Sequence, residues 1–232
     1  MGMKSICKTT VLCGLLAVAV TAPSSAQVIS PVLDRNTFEF GYAYRWCHRD
    51  ATPPPLDEIR WEVATLYVRF GAFEWLSVTF EGGLWNMEND DFPFQAFDRF
   101  VVGGGLTGRL WKREAWALSA SLNYTEIWDD DVSAYGFDKR VYRIAAMTPI
   151  SRRFFERAPT DLWLGPCYID DTIENYRYND TSPIRDEPET HWGLAGGVQT
   201  ALWGHVAFIG YVQYVDHVEG LLSLAFRVGG DE

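Results

Sequence analysis

The sequence is short of several features that would place it in common classes. Beyond its first 26 residues it has no run of about twenty apolar residues. The nearest approach, Ala201 to Val215, is interrupted by Gly204, His205 and Gln213. A helical membrane protein is therefore excluded. Positive charge is scarce, with 20 Lys and Arg against 31 Asp and Glu and a net charge of −11, which argues against a nucleic-acid partner. Cysteine is scarce too: of the 4 present, Cys7 and Cys13 fall in the first 26 residues, leaving Cys47 and Cys167. No Cys-x-x-Cys, H-E-x-x-H or Ser-His-Asp arrangement occurs. His48, His191, His205 and His217 show no metal-ligand spacing, so neither a metal nor a cofactor is expected.

Apolar and aromatic residues are plentiful. They make up 47% and 15% of 232 residues, with 10 Trp and 20 Gly, which is too apolar for a disordered chain and sized for one domain. The chain opens with Lys4 and Lys8, continues through the apolar run Val11 to Val20 and ends that section in Ser24-Ser25-Ala26. These are the three regions of a secretory signal, so residues 1–26 are expected to be a cleaved signal peptide. Residues 27–36, which include Pro31, are then a short periplasmic arm.

From residue 37 onward the pattern has period two, the mark of strands with unlike faces. Phe38, Phe40, Tyr42, Tyr44 and Trp46 alternate with Glu39, Gly41, Ala43 and Arg45. Leu222, Leu224, Phe226 and Val228 alternate with Ser223, Ala225 and Arg227. The template yields ten strands, at roughly 37–48, 59–70, 75–86, 98–111, 115–128, 139–150, 161–170, 191–202, 205–216 and 219–228. A count of eight or twelve also fits the pattern. Each segment, at about 10 to 14 residues, is longer than the ~5–6 residues of an ordinary globular strand and matches the ~9–11 a transmembrane strand needs. One face of each strand is continuously apolar. The other carries glycines, small residues and arginines, as a crowded lumen would.

Connections alternate short and long along the chain, apart from the short His217-Val218 link, which implies a tight hairpin or a miscount by two strands. Trp46, Trp61, Trp85, Trp128 and Trp192 fall near one set of strand ends, and Trp75, Trp111, Trp116, Trp163 and Trp203 near the other, as two interfacial girdles. On these features the chain resembles the bacterial small outer-membrane β-barrels. The resemblance implies an all-β, transmembrane, antiparallel up-and-down barrel over residues 37–228, with a tail at 229–232. It also implies an outer-membrane location, with lipid and lipopolysaccharide as surroundings.

Strand parity sends Glu39, Arg45, Arg69, Glu81, Arg99, Arg109, Arg143, Asp161 and Arg227 into the lumen. An arginine facing lipid at midplane would cost ~2–4 kcal/mol. Glu39, Arg69 and Arg227 fall at one depth on neighbouring strands, so Glu39 is expected between the two arginines at the closing seam. The lumenal charges admit two readings, an anion-preferring constriction for small solutes or ions and a network that plugs a narrow barrel. The long loops are acidic, with Asp90-Asp91, Asp129 to Asp131, and Asp216 with Glu219. No run has the spacing of a calcium loop. The functions that fit are a small-solute porin or a structural surface barrel. The alternative is a surface hydrolase resembling the omptins, using Asp90, Asp91, Asp216 and His217, although adjacent Asp216 and His217 would point to opposite sides of a strand. Gly103 to Gly108 fits G-x-G-x-x-G, but the alternation runs through it and no helix follows, so no phosphate cradle is expected. Cys47 and Cys167 lie on strands that are not neighbours and are expected as two free thiols.

Overall fold

The computed structural model describes residues 32–50, 58–89, 99–128, 137–155, 159–177, 184–186, 191–203, 205–215 and 217–230. The expected signal peptide, the arm up to residue 31, Asp90, Asp91 and Asp216 lie outside the described residues.

The described residues form twelve strands: β1 Thr37–Asp50, β2 Glu58–Phe73, β3 Leu76–Asn89, β4 Arg99–Arg113, β5 Trp116–Trp128, β6 Phe137–Met147, β7 Ile150–Phe154, β8 Thr160–Arg177, β9 Ile184–Asp186, β10 Trp192–Trp203, β11 Val206–Tyr214 and β12 Val218–Gly229. All pairings are antiparallel, and they run from β10 through β11, β12, β1, β2, β3, β4, β5 and β6 to β8, which pairs back onto β10. The sheet thus closes on itself as a barrel of ten positions. The position between β5 and β8 is shared by β6 and β7. The interruption falls at Thr148-Pro149, because proline cannot donate to the ladder. The chain bulges there against Gly165 of β8, where a Cβ would meet the Thr148 carbonyl oxygen at 2.5 Å. Such a break inside a strand is invisible to a period-two template, which runs one strand through residues 139–150.

Two further boundaries moved. β8 runs to Arg177, beyond the expected end at 170, and its extension pairs with β6 and with the short strand β9. The short His217-Val218 link is a tight hairpin: Tyr214 pairs with Val218, and Val215 N donates to His217 O at 3.2 Å. The barrel therefore has the expected ten strand positions, with β6 and β7 sharing one and β9 lying outside the ring.

Outward positions form an apolar belt that includes Phe38, Phe40, Leu66, Phe80, Phe100, Leu164, Leu194, Leu222, Leu224 and Phe226, all exposed. A surface of this size is foreign to a soluble monomer and is what a transmembrane barrel presents to lipid. Trp111, Trp116, Trp192 and Trp203 are exposed as girdle residues would be. Trp85 and Trp163 are not. Both are buried, and they share the inward parity of Glu81 and Asp161 respectively, so they fill the lumen.

Two lumenal walls can be distinguished. Along β8, β10 and β11 the inward residues are largely apolar, with Trp163, Cys167, Ile169, Ala195, Ile209 and Tyr211 joined in one cluster. Along β12, β1, β2 and β3 that cluster continues through Leu221, Ala225, Ala43 and Tyr67, and most of the lumenal charge is interleaved with it: Glu219, Arg227, Glu39, Arg45, Arg69 and Glu81. In each wall a glycine makes room for a ring. A Cβ at Gly41 would stand 2.3–2.5 Å from the Tyr67 phenol, and one at Gly197 would stand 2.5 Å from the Trp163 indole. These glycines serve close approach.

Candidate functional site

The lumen is organised in layers, starting from the rim of short turns. Residues of the N-terminal arm lie in that mouth. Val32 and Leu33 are buried, Leu33 N donates to Ser77 Oγ at 2.8 Å, and Arg109 donates from Nη2 to Val32 O at 3.1 Å and from Nη1 to Glu74 O at 2.9 Å. Asn36, at φ 59°, turns the arm into β1, a backbone region in which asparagine is enriched.

One layer higher, Glu39 sits opposite Arg69 of β2 and Arg227 of β12 in the ladder. Its Oε1 lies 2.9 Å from Arg69 Nη2, and its Oε2 accepts from Arg227 Nε at 2.7 Å. The Tyr67 hydroxyl donates to Glu39 Oε1 at 3.3 Å and is 3.0 Å from Ser223 Oγ. Glu39 and Arg69 have no solvent exposure at all. A carboxylate held by two guanidiniums and a phenol replaces in protein what water would otherwise supply.

The central layer joins strands across the barrel. Arg45 on β1 reaches Glu81 on β3 (Nη2 to Oε1, 3.6 Å) and Glu219 on β12 (Nε to Oε1, 3.5 Å). Arg143 on β6 donates from Nη2 to Glu219 Oε2. Since β6 and β12 are four positions apart around the ring of ten, this last pair crosses the lumen. Glu81 also accepts from Thr65 Oγ1 at 3.4 Å.

Of the nine charged residues that parity placed inside, six fall into these two layers: Glu39, Arg69 and Arg227, then Arg45, Glu81 and Arg143. The other three stand apart. Arg109 ties the arm and the β2–β3 turn. Asp161 receives a two-point contact from Arg153, at 3.0 and 3.1 Å, near the turn rim. Arg99 lies with its guanidinium 5.4 Å from the Trp85 ring centroid, toward the loop rim.

Sequence reasoning missed two members. Glu219 was expected among the acidic outer-loop residues. The tight hairpin instead starts β12 at Val218, so Glu219 faces inward and is fully buried. Its parity with Leu221 and Ser223 was the available signal. Arg153 was expected in a connection, and it belongs to β7.

Near the loop rim, Cys47 pairs with Glu219 in the ladder, and His217 precedes Glu219 by two residues on the same side. All three are buried, and one donor atom from each lies within 4.8 Å of the others. Cys47 and Cys167 are both buried and not disulfide-bonded. For the hydrolase alternative, Asp90, Asp91 and Asp216 lie outside the described residues, and His217 is turned into the lumen.

No protein-family model and no curated protein matches the chain. Among solved structures, it is similar to an outer membrane channel from Pseudomonas putida F1, at 9% identity and TM-score 0.53, covering 86% of this chain and 100% of that one. It is also similar to Ail, the attachment invasion locus protein of Yersinia pestis, at 10% identity and TM-score 0.41, covering 84% and 99%. The outer membrane protease OmpT from Escherichia coli matches at 8% identity and TM-score 0.39, covering 87% and 98%. At these identities the likeness is one of fold: the chain has the fold of the bacterial outer-membrane β-barrels.

Proposed function

We propose that this chain is an integral outer-membrane barrel with a lumen closed in the resting state, serving as a structural or surface-presenting barrel and not as an open small-solute porin. The arm and the short turns lie on the periplasmic side in this reading, and the acidic loops outside. Residues 1–26, with their signal-like pattern, supply the export step, and the apolar belt supplies the lipid contact. The acidic rim would gather the divalent cations that bridge lipopolysaccharide phosphates.

The observation that carries the proposal is the side-chain path Glu81, Arg45, Glu219, Arg143, which runs from β3 past the seam and across to β6 with every member buried. A barrel of about eight strands has an interior that side chains can just fill, and ten is close to that size. Here ion pairs and the Trp163 and Tyr211 rings occupy the middle, with the arm in the mouth below. Ions would have to displace buried, paired arginines to pass, at a cost of several kcal/mol for each charge left uncompensated.

The test is single-channel recording on refolded, signal-free protein in a planar bilayer. The expected result is no steady conductance from protein shown to be inserted. A stable ohmic current from the unmodified chain would overturn the closed-lumen reading and restore the porin, and its reversal potential would then show whether the arginines or the acidic rim select the ion.

A further inference from the structure

The cluster at the loop end of the seam shares Glu219 with the charge network and adds a thiol and an imidazole to it. We propose that Cys47, His217 and Glu219 form a binding site for a borderline divalent transition metal, with zinc the expected occupant, at the outer end of the lumen.

Three features of the fold bring these residues together. The β1–β12 register sets Cys47 directly opposite Glu219. Period two sets His217 on the inward face with Glu219. The tight turn between Tyr214 and Val218 folds His217 back over the strand ends, with Val215 N donating to His217 O. The donor atoms of all three lie within 4.8 Å of one another. Ligands bound tetrahedrally at ~2.0–2.3 Å stand about 3.5 Å apart, so the site needs a contraction of at most about 1.3 Å, within the reach of side-chain torsions.

The donor set is one thiol, one imidazole and one carboxylate. Hard cations such as calcium and magnesium prefer all-oxygen sites, while a thiolate with an imidazole selects zinc or a neighbouring transition metal. Three protein ligands leave a fourth position for water or an arriving donor. The site is also a built one, since Cys47, His217 and Glu219 are exposed by only 3%, 5% and 0%. Glu219 is aimed by Arg143 on one oxygen, while its Oε1 accepts no hydrogen bond and has Arg45 Nε 3.5 Å away. Arginines gripping a ligating carboxylate fix its orientation as outer-shell partners do. Binding converts the Cys47 thiol to a metal thiolate and releases its proton to solvent, and no electron is transferred.

The proposal does not depend on whether the lumen conducts. Its test is titration of the refolded, reduced, full barrel with cobalt(II), which stands in for zinc and reports thiolate ligation by a near-ultraviolet charge-transfer band. One equivalent is expected to produce that band together with visible d–d bands, and zinc is expected to abolish both. Cys47→Ser is expected to lose the charge-transfer band. Cys167→Ser is expected to keep it, and His217→Asn to weaken cobalt binding at least tenfold. Replacing Glu219 risks the fold, because Arg143 and Arg45 would lose their partner, so Cys47 and His217 carry the test, with folding checked by heat-modifiable gel migration. No charge-transfer band on folded wild-type protein, or a band that survives in Cys47→Ser, overturns the site.

Discussion

The two lumenal walls fill the same kind of space by different means. Along β8, β10 and β11 the interior is packed by Trp163, Ile169, Ile209 and Tyr211, as in a soluble protein core. Along β12, β1, β2 and β3 the packing interleaves Ala43, Tyr67, Leu221 and Ala225 with the ion-paired Glu39, Arg69, Arg227, Arg45, Glu81 and Glu219. The difference follows from how each wall is closed. Most strand pairs in the barrel are joined by hairpins, whose turns set the register. β1 and β12 have no turn between them, and the Glu39–Arg227 contact joins residues 188 apart in the chain. A slip of one residue at that seam would turn every side chain to the wrong face. Buried charges that can be satisfied in only one register specify what a turn cannot, at a desolvation cost that an apolar wall avoids.

The largest expected effect comes from breaking the charged wall. Glu39→Ala leaves Arg69 wholly buried without a carboxylate, and the loss should be about 3–5 kcal/mol in reversible urea unfolding from lipid vesicles. Combining it with Arg227→Ala should cost clearly less than the sum of the two single changes. Additive losses would sink the idea that the three residues act as one clamp.

A smaller effect is expected in the apolar wall. Gly197→Val would push against the Trp163 indole and the Gly210 carbonyl oxygen, which a Cβ would already meet at 2.6 Å. The expected loss is about 1–3 kcal/mol, with a change in tryptophan fluorescence and no change in the seam. If a contact-free substitution elsewhere on β10 cost as much, packing at this glycine would not be the cause.

The smallest effect should come from β5, which faces the lumen with Ser119, Ser121, Asn123 and Thr125. Ser121 Oγ is buried and makes no hydrogen bond, so Ser121→Ala should be neutral to within about 0.5 kcal/mol. A large loss would mean that β5, which lies between the two walls, carries polar order of its own and that the contrast between the walls is overdrawn.

Much of the fold can be read in one dimension because strand faces obey a period of two and most hairpin turns are short. That is why the inward parity of Glu39, Arg45, Arg69, Glu81 and Arg143 follows from residue order alone, and why the depths of Glu39 and Arg69 can be matched across the β2 hairpin. Trp85 and Trp163 were legible by the same parity, but a tryptophan near a strand end was read as an interfacial residue. The break at Thr148-Pro149 was not legible, because a proline is compatible with either a strand end or an interruption, and only pairing of both halves with β5 and β8 distinguishes them.

Residue order alone sets the faces, the apolar belt and the lumenal sign pattern, since each depends on local alternation and on the cost of charge in lipid. Which charges meet is settled by the folded barrel. Arg143 reaches Glu219 across the ring, the arm returns into the mouth, and Cys47, His217 and Glu219 converge. Each of these contacts depends on closure of the barrel, which joins the two ends of the chain and gives opposite strands a common interior.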